Sequence, residues 1–163
     1  MSVSPAVAGS GQDALAASLL VFRHDGQYCA IAAAVVSEIL AAVAVRPLPR
    51  QPDYIAGVID LRGTIVPVLD LRVRFGRPGR LPELTDQFVV IRAQRRFLAL
   101  WVDEVVAFAA AGATAWSTAG GLIAGDRSLA GVAATAGGLA TIHDVDAFVA
   151  QCENDAVFPD DGT

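Results

Sequence analysis

Residues 55–71 read IAGVIDLRGTIVPVLDL, and this stretch decides the fold. Apolar, largely β-branched residues stand on both sides of a polar tip. Ile55, Val58, Ile59 and Leu61 precede it; Ile65, Val66, Val68, Leu69 and Leu71 follow it. That density suits a pleated, buried surface. The tip carries Asp60, Arg62, Gly63 and Thr64, and Gly63 can take the positive φ of a tight turn. The reading is a β-hairpin with Arg62 at its end. Pro67 cannot donate to a ladder, which places the second strand along an edge or at a bulge. Asp70 reads as the N-cap of a short helix over 71–75, stopped by Gly76 and Pro78.

Outward from the hairpin, strands are expected over 18–23, 27–32, 87–92 and 97–102. Asp25-Gly26 forms one turn, and Arg95-Arg96 sits in or beside another. Residues 33–40, with Val36, Glu38 and Ile39, read as a short helix or helical turn, and 103–108 resembles 34–39. Arg46-Pro47-Leu48-Pro49 is a stiff extended connection. The loop RPGRLPELTD, residues 77–86, marks a junction between subdomains.

The chain repeats itself. A shift of 69 carries Tyr28, Ala30, Ile31 and Val36 onto Phe97, Ala99, Leu100 and Val105. A shift of 74 carries Ala56-Gly57-Val58 onto Ala130-Gly131-Val132, Gly63 onto Gly137, and Asp70-Leu71 onto Asp144-Val145. Half a chain is marginal alone, so the halves should bury a face against each other. The expectation is an all-β fold: two small antiparallel barrels sharing a core, each closed by a short helix. Glu38 falls on Ala107 and Arg62 on Ala136, so both charges occur in one copy only. The fold does not need them twice, which points to a joint role beyond folding.

Composition narrows the chemistry. Of 163 residues 54% are hydrophobic, enough for one domain with a real core, and the net charge of −5 opposes general nucleic-acid binding. Between Arg46 and Arg96, however, ten arginines stand against Asp53, Asp60, Asp70, Glu83 and Asp86, which leaves a small-barrel nucleic-acid binder as the rival reading. Arg72, Arg74, Arg77 and Arg80 lack the repeated aromatic interleaving such a face needs, Phe75 standing alone among them. The longest apolar candidate, 32–45, falls short of the ~20 residues that span a bilayer. No positive segment precedes an apolar one at the N-terminus, so it does not read as a signal peptide, and a cytoplasmic location is expected. No nucleophile elbow or phosphate loop is present. His143-Asp144-Val145-Asp146 supplies too few ligands for a metal. His24, beside a turn, is expected to be solvated, and Cys29 inert.

The segments YCAIAAAVVSEIL, RPLPRQPDYIAGVIDLRGTIVPVLDLRVRFG, FVVIRAQRRFLALWVDEVV and LAGVAATAGGLATIHDVDAFV together resemble the CheW-like coupling domain of bacterial chemotaxis, over about 19–149. The resemblance implies two five-stranded Src-homology-like barrels around a shared core, with short helices. Residues 1–16 would form a flexible lead, 17–150 the domain (first barrel 17–80, second barrel 86–150), and 151–163 a flexible acidic tail. It implies an adaptor without catalysis, cofactor or metal. Its partners would be the regulatory domain of a CheA-type histidine kinase and the cytoplasmic tips of chemoreceptors, with no nucleic acid and no membrane insertion. By position, Glu38 and Arg62, with Gly63 beside it, match charged family positions implicated in function. Val36, Ile39, Gly57, Val102 and Val105 match segments lining partner surfaces. The chain departs from the family in Asp60, where asparagine is usual, in His143, and in its Ala- and Gly-rich second half.

Overall fold

A computed structural model describes residues 18–109, 116–117, 129–135 and 137–155. The expectations for 1–16, for the end of the chain beyond 155 and for Ala136 lie outside the described residues. Eleven strands and two helices are described: β1 (Leu19–His24), β2 (Gln27–Ala32), β3 (Val36–Ala41), β4 (Ile55–Leu61), β5 (Thr64–Asp70), α1 (Leu71–Arg74), β6 (Gln87–Ala93), β7 (Arg96–Val102), β8 (Glu104–Ala109), β9 (Trp116–Ser117), β10 (Leu129–Thr135), β11 (Gly138–His143) and α2 (Val145–Asp155). The tail expected from residue 151 onward therefore begins as helix.

Two sheets form, in the orders β8-β1-β2-β11-β10-β9 and β3-β6-β7-β5-β4. The duplication is visible in the register. Ile55 faces Leu69 and Gly57 faces Val68, with a bulge between; Leu129 faces His143 and Gly131 faces Ile142, with the same bulge. Val68 pairs in parallel with Ala99, and Ile142 with Ala30. The Arg46–Val58 bridge on β4 has its counterpart in β9, where Ser117 faces Val132 of β10.

Replacing each strand by its counterpart turns one sheet order into the other. The halves have exchanged strands: sheet one holds β1 and β2 with β8 to β11, and sheet two holds β3 to β5 with β6 and β7. A division at 17–80 and 86–150 thus does not correspond to the sheets. Nor do the described ladders close into barrels, since each order has two free ends. Each sheet instead curls about its own cluster: Leu19, Val21, Ala30, Ala133, Ala140 and Ile142 in one, and Ile59, Val66, Val68, Phe88, Val90, Ala99 and Trp101 in the other. A third cluster joins them, with Leu20, Phe22 and Ile31 from one sheet meeting Val89, Ile91, Leu98 and Leu100 from the other.

The helical reading of 33–40 needs correction. Only Ala33–Val35 forms a 3-10 turn, and Val36–Ala41 is strand β3, paired with β6. Val36 and Ile39 pack on the shared core, and that burial outweighs the helix preference of the alanines before them. Residues 104–109 are likewise strand, paired with β1. Pro67 lies inside the sheet order, yet β7 joins β5 only from Val68 onward, so the strand behaves as an edge at the proline. Asp70 caps α1 as expected, accepting from the Arg72 N–H at 3.0 Å.

Candidate functional site

Leu61 faces Thr64 across a two-residue turn, Arg62-Gly63. Both turn residues are left-handed, with φ of 50° and 88°. This is the twist a two-residue hairpin favours, and asparagine or glycine is the usual first residue. Arginine has no local hydrogen bond to offset the left-handed backbone. Asp60 pins the turn by accepting from the Gly63 N–H at 2.8 Å. The Arg62 side chain is held outward, 72% exposed.

Opposite it, Glu38 lies on β3 just past a bulge at Ser37, since Val36 faces Ile91 and Glu38 faces Val90. Arg62 Nη1 donates to Glu38 Oε1 at 3.4 Å, and Nη2 donates to Oε2 more closely. Glu38's carboxylate raises the Arg62 pKa above its ordinary value, through the hydrogen bonds first and charge second. The pair spans the open side of sheet two, from edge strand β3 to the tip of the β4–β5 hairpin. Two guanidinium N–H groups face Glu38, and the fork has five donors, so the remainder suit a second acceptor. In sheet one the Glu38 position is Ala107, which carries no charge.

The other expected site residues divide. Val36, Ile39 and Val105 are partly buried against the shared core. Val102 and Gly57 are buried, so they offer a partner no surface and act only through what they position. At Gly57 a Cβ would lie 2.2 Å from the Arg46 carbonyl oxygen.

A charged junction, foreshadowed only by the mixed charges of the 77–86 loop, fixes that loop. Arg80 donates to both Asp86 oxygens, at 2.8 and 2.6 Å, and to Asp103 at 2.9 Å. Arg72, 3% exposed, also pairs with Asp103. Asp103 in turn accepts from the Asp25 N–H at 2.8 Å. Trp101 donates its indole N–H to Asp86 at 3.0 Å, and both guanidinium groups lie within about 6 Å of its ring. Burial pushes the Asp86 pKa up, but hydrogen bonds from Arg80, the Glu83 N–H and Trp101 bring it below the ordinary carboxylate value. Burial lowers Arg72. With Arg77 on Asp25 and Arg62 on Glu38, four arginines of the rival nucleic-acid face are committed to carboxylates.

His24 is 3% exposed, contrary to the solvated reading, because its ring stacks on Phe75 at 5.3 Å. His143 flanks the same phenyl ring at 5.3 Å. Burial foremost, then His143 and Arg72, lower the His24 pKa to about 4, and Arg77 adds to this while Asp25 opposes it. The unfolded chain, with His24 near 6.5, binds more protons between those values. Stability is therefore full above pH 6.5 and falls as pH drops toward 4, by about 2–3 kcal/mol for this group. Urea melts at pH 7 and pH 4.5 should show the loss, and His24→Phe should remove most of it. An equal loss in His24→Phe would assign the effect elsewhere.

Asp144 caps α2, accepting from the Asp146 and Ala147 N–H groups, and no group of three or more potential metal ligands gathers among the described residues. Burial pushes the Cys29 thiol up to about 11. No described helix is long and apolar enough to cross a membrane.

A family model described as the CheW-like domain matches residues 18–153. The chain is 32% identical over 87 residues to the chemotaxis protein CheW of Rhizobium meliloti (strain 1021), covering 53% of this chain and 56% of that protein. It is 38% identical over 88 residues to the chemotaxis protein CheW of Bacillus subtilis (strain 168), covering 53% and 55%. The chain spans about half the length of the curated relatives it matches. The crystal structure of scaffolding protein TtCheW from Thermoanaerobacter tengcongensis superposes with a TM-score of 0.71 at 24% identity, covering 78% of this chain and 88% of that one, and shares its fold.

Proposed function

Because this chain belongs to the CheW-like domain family, we propose that it is a non-catalytic cytoplasmic adaptor joining chemoreceptor tips to the regulatory domain of a CheA-type histidine kinase. The observation that carries this reading is the Glu38–Arg62 pair. An exposed arginine is held in a left-handed turn and steadied by a carboxylate, in one copy of a duplicated fold and not in the other. Stability does not call for it, since exposed pairs contribute little. A partner does, because a fixed guanidinium fork can anchor an interface. Val36, Ile39 and Val105 would supply apolar neighbours.

Mixing the purified chain with a CheA-type regulatory domain and a receptor signalling tip should give co-sedimenting complexes and receptor control of kinase phosphorylation. Absence of a complex with either would overturn the reading. Arg62→Ala is the sharper arm. Alanine bears the same left-handed backbone as arginine, so the substitution isolates the guanidinium. The thermal midpoint should move by about 2 °C or less while affinity falls about tenfold or more. Arg62→Lys should restore little, since an ammonium lacks the fork. Wild-type affinity in Arg62→Ala would remove Arg62 from the site.

A further inference from the structure

We infer that Gln87 is a positioning residue for the partner surface, tying together the two sheets that carry β3 and β8; this rests on the adaptor reading above. Gln87 opens β6 in sheet two, opposite Ala41 of β3 on one side and Val102 of β7 on the other. Its side chain crosses to the other sheet. Oε1 accepts from the Val105 N–H on β8 at 2.7 Å. No backbone ladder joins β8 to β3 or β6.

The tie falls at a bulge. Phe22 faces Val105 and Val21 faces Ala107, so Val106 is the extra residue of β8. The bulge at Ser37 in β3 is its counterpart, because 106 − 37 = 69, the repeat shift. Bulges re-aim the side chains beside them. In β3 the next residue is Glu38, which meets Arg62. In β8 the bulge leaves Val106 and Phe108 exposed, and the Val105 side chain stays packed on the shared core. A backbone N–H at a bulge has no ladder partner assured, and Gln87 supplies one. The first copy carries the short Ser18 at this position (87 − 69 = 18), so the strut belongs to β8 alone.

Gln87 thus meets three of the expected partner segments, all but the β4–β5 hairpin that carries Arg62. It sits beside the end of β3, pairs with Val102, and holds Val105. Removing its acceptor leaves the β1–β8 and β3–β6 ladders and the β7–β8 connection at Asp103 in place, and takes away only the hold of β6 on the Val105 backbone. The fold persists, while the placement of Val105 on the shared core, where Val36 and Ile39 also pack, loosens.

Gln87→Met keeps the length and removes the acceptor; Gln87→Glu restores an acceptor. Two readouts are taken at pH 7: hydrogen exchange of the Val105 amide by NMR, and affinity for a CheA-type regulatory domain and a receptor signalling tip. In Gln87→Met the Val105 amide should exchange about tenfold faster and affinity should fall about tenfold. Amide protection elsewhere in β1 and β6 should hold. Gln87→Glu should return both readouts near wild type, which a mere loss of packing would not do. Faster exchange with wild-type affinity, or unchanged exchange in Gln87→Met, overturns the inference and leaves the adaptor reading standing. A wild-type chain that binds neither partner overturns the adaptor reading, and this inference with it, before any substitution is compared.

Discussion

Gly57→Ala should destabilise the fold by about 3–5 kcal/mol, combining left-handed strain with a clash no side chain can relieve. Gly57 has φ of 147°, and a Cβ there would lie 2.2 Å from the Arg46 carbonyl oxygen and 2.6 Å from its carbon. Both are backbone atoms. They are also held: Arg46 and Val58 exchange two hydrogen bonds of 2.9 Å. Alanine must break that bridge or push β4 from its bulge. Gly26→Ala is the control, because Gly26 has φ of 76° and open space around it. It should cost only about 1 kcal/mol. Urea melts compare the two, and a Gly57→Ala loss no larger than the control's would refute the clash. The same geometry bears on Gly57 as a partner position: a buried glycine changes the surface by moving β4, not by touching a partner.

Asp103→Ala should cost about 3–5 kcal/mol, because it strands a buried guanidinium. Arg72 would keep only Asp70, at 3.9 Å, and the face of Trp101. Arg80 would keep Asp86, and the Asp25 N–H would lose its acceptor. Asp103→Asn, which retains an acceptor of the same shape, should lose less. Replacing both ends, Asp103→Leu with Arg72→Met, should recover much of the loss, since the charge left behind carries most of it. Denaturant midpoints of the singles and the double decide this. A single-variant loss below about 1 kcal/mol would show that water already solvates Arg72.

What could be read beforehand was local. The turn at Arg62-Gly63, the caps at Asp70 and Asp144, and the 74-residue shift all rest on glycine, aspartate and β-branched residues acting within a few positions of themselves. The pairing of Glu38 with Arg62 was legible because duplication supplied an internal control. What failed was decided at long range. Residues 36–41 follow a run of alanines and look helical; their strand comes from β6, some fifty residues on. His24 is buried by Phe75 and flanked beyond it by His143, which no neighbour in sequence foretells. The exchange of strands between halves rests on four pairings, antiparallel β1–β8 and β3–β6 and parallel β5–β7 and β11–β2, and periodicity says nothing about any of them. Gln87 gave no signal either, since a glutamine opening a strand is ordinary until the N–H it accepts from is found on another sheet.

The reciprocal strand order also governs how this chain can be made. β1 and β2 lie between β8 and β11, and β5 lies against β7, so nothing in the first half completes a sheet by itself. As synthesis proceeds, β1 to β5 emerge with unpaired edges and wait for partners. β11 follows β5 by about seventy residues, roughly 4–15 s of elongation. Leu19, Leu20, Val21 and Phe22, later among the most buried residues, have only β2 beside them until β8 is made, and their sheet gains β10 and β11 later still. A nascent chain in that condition is a substrate for chaperones and for aggregation alike. Sheet two has all its strands once β7 is made, while sheet one waits for β11, so translation speed becomes one of the variables of folding.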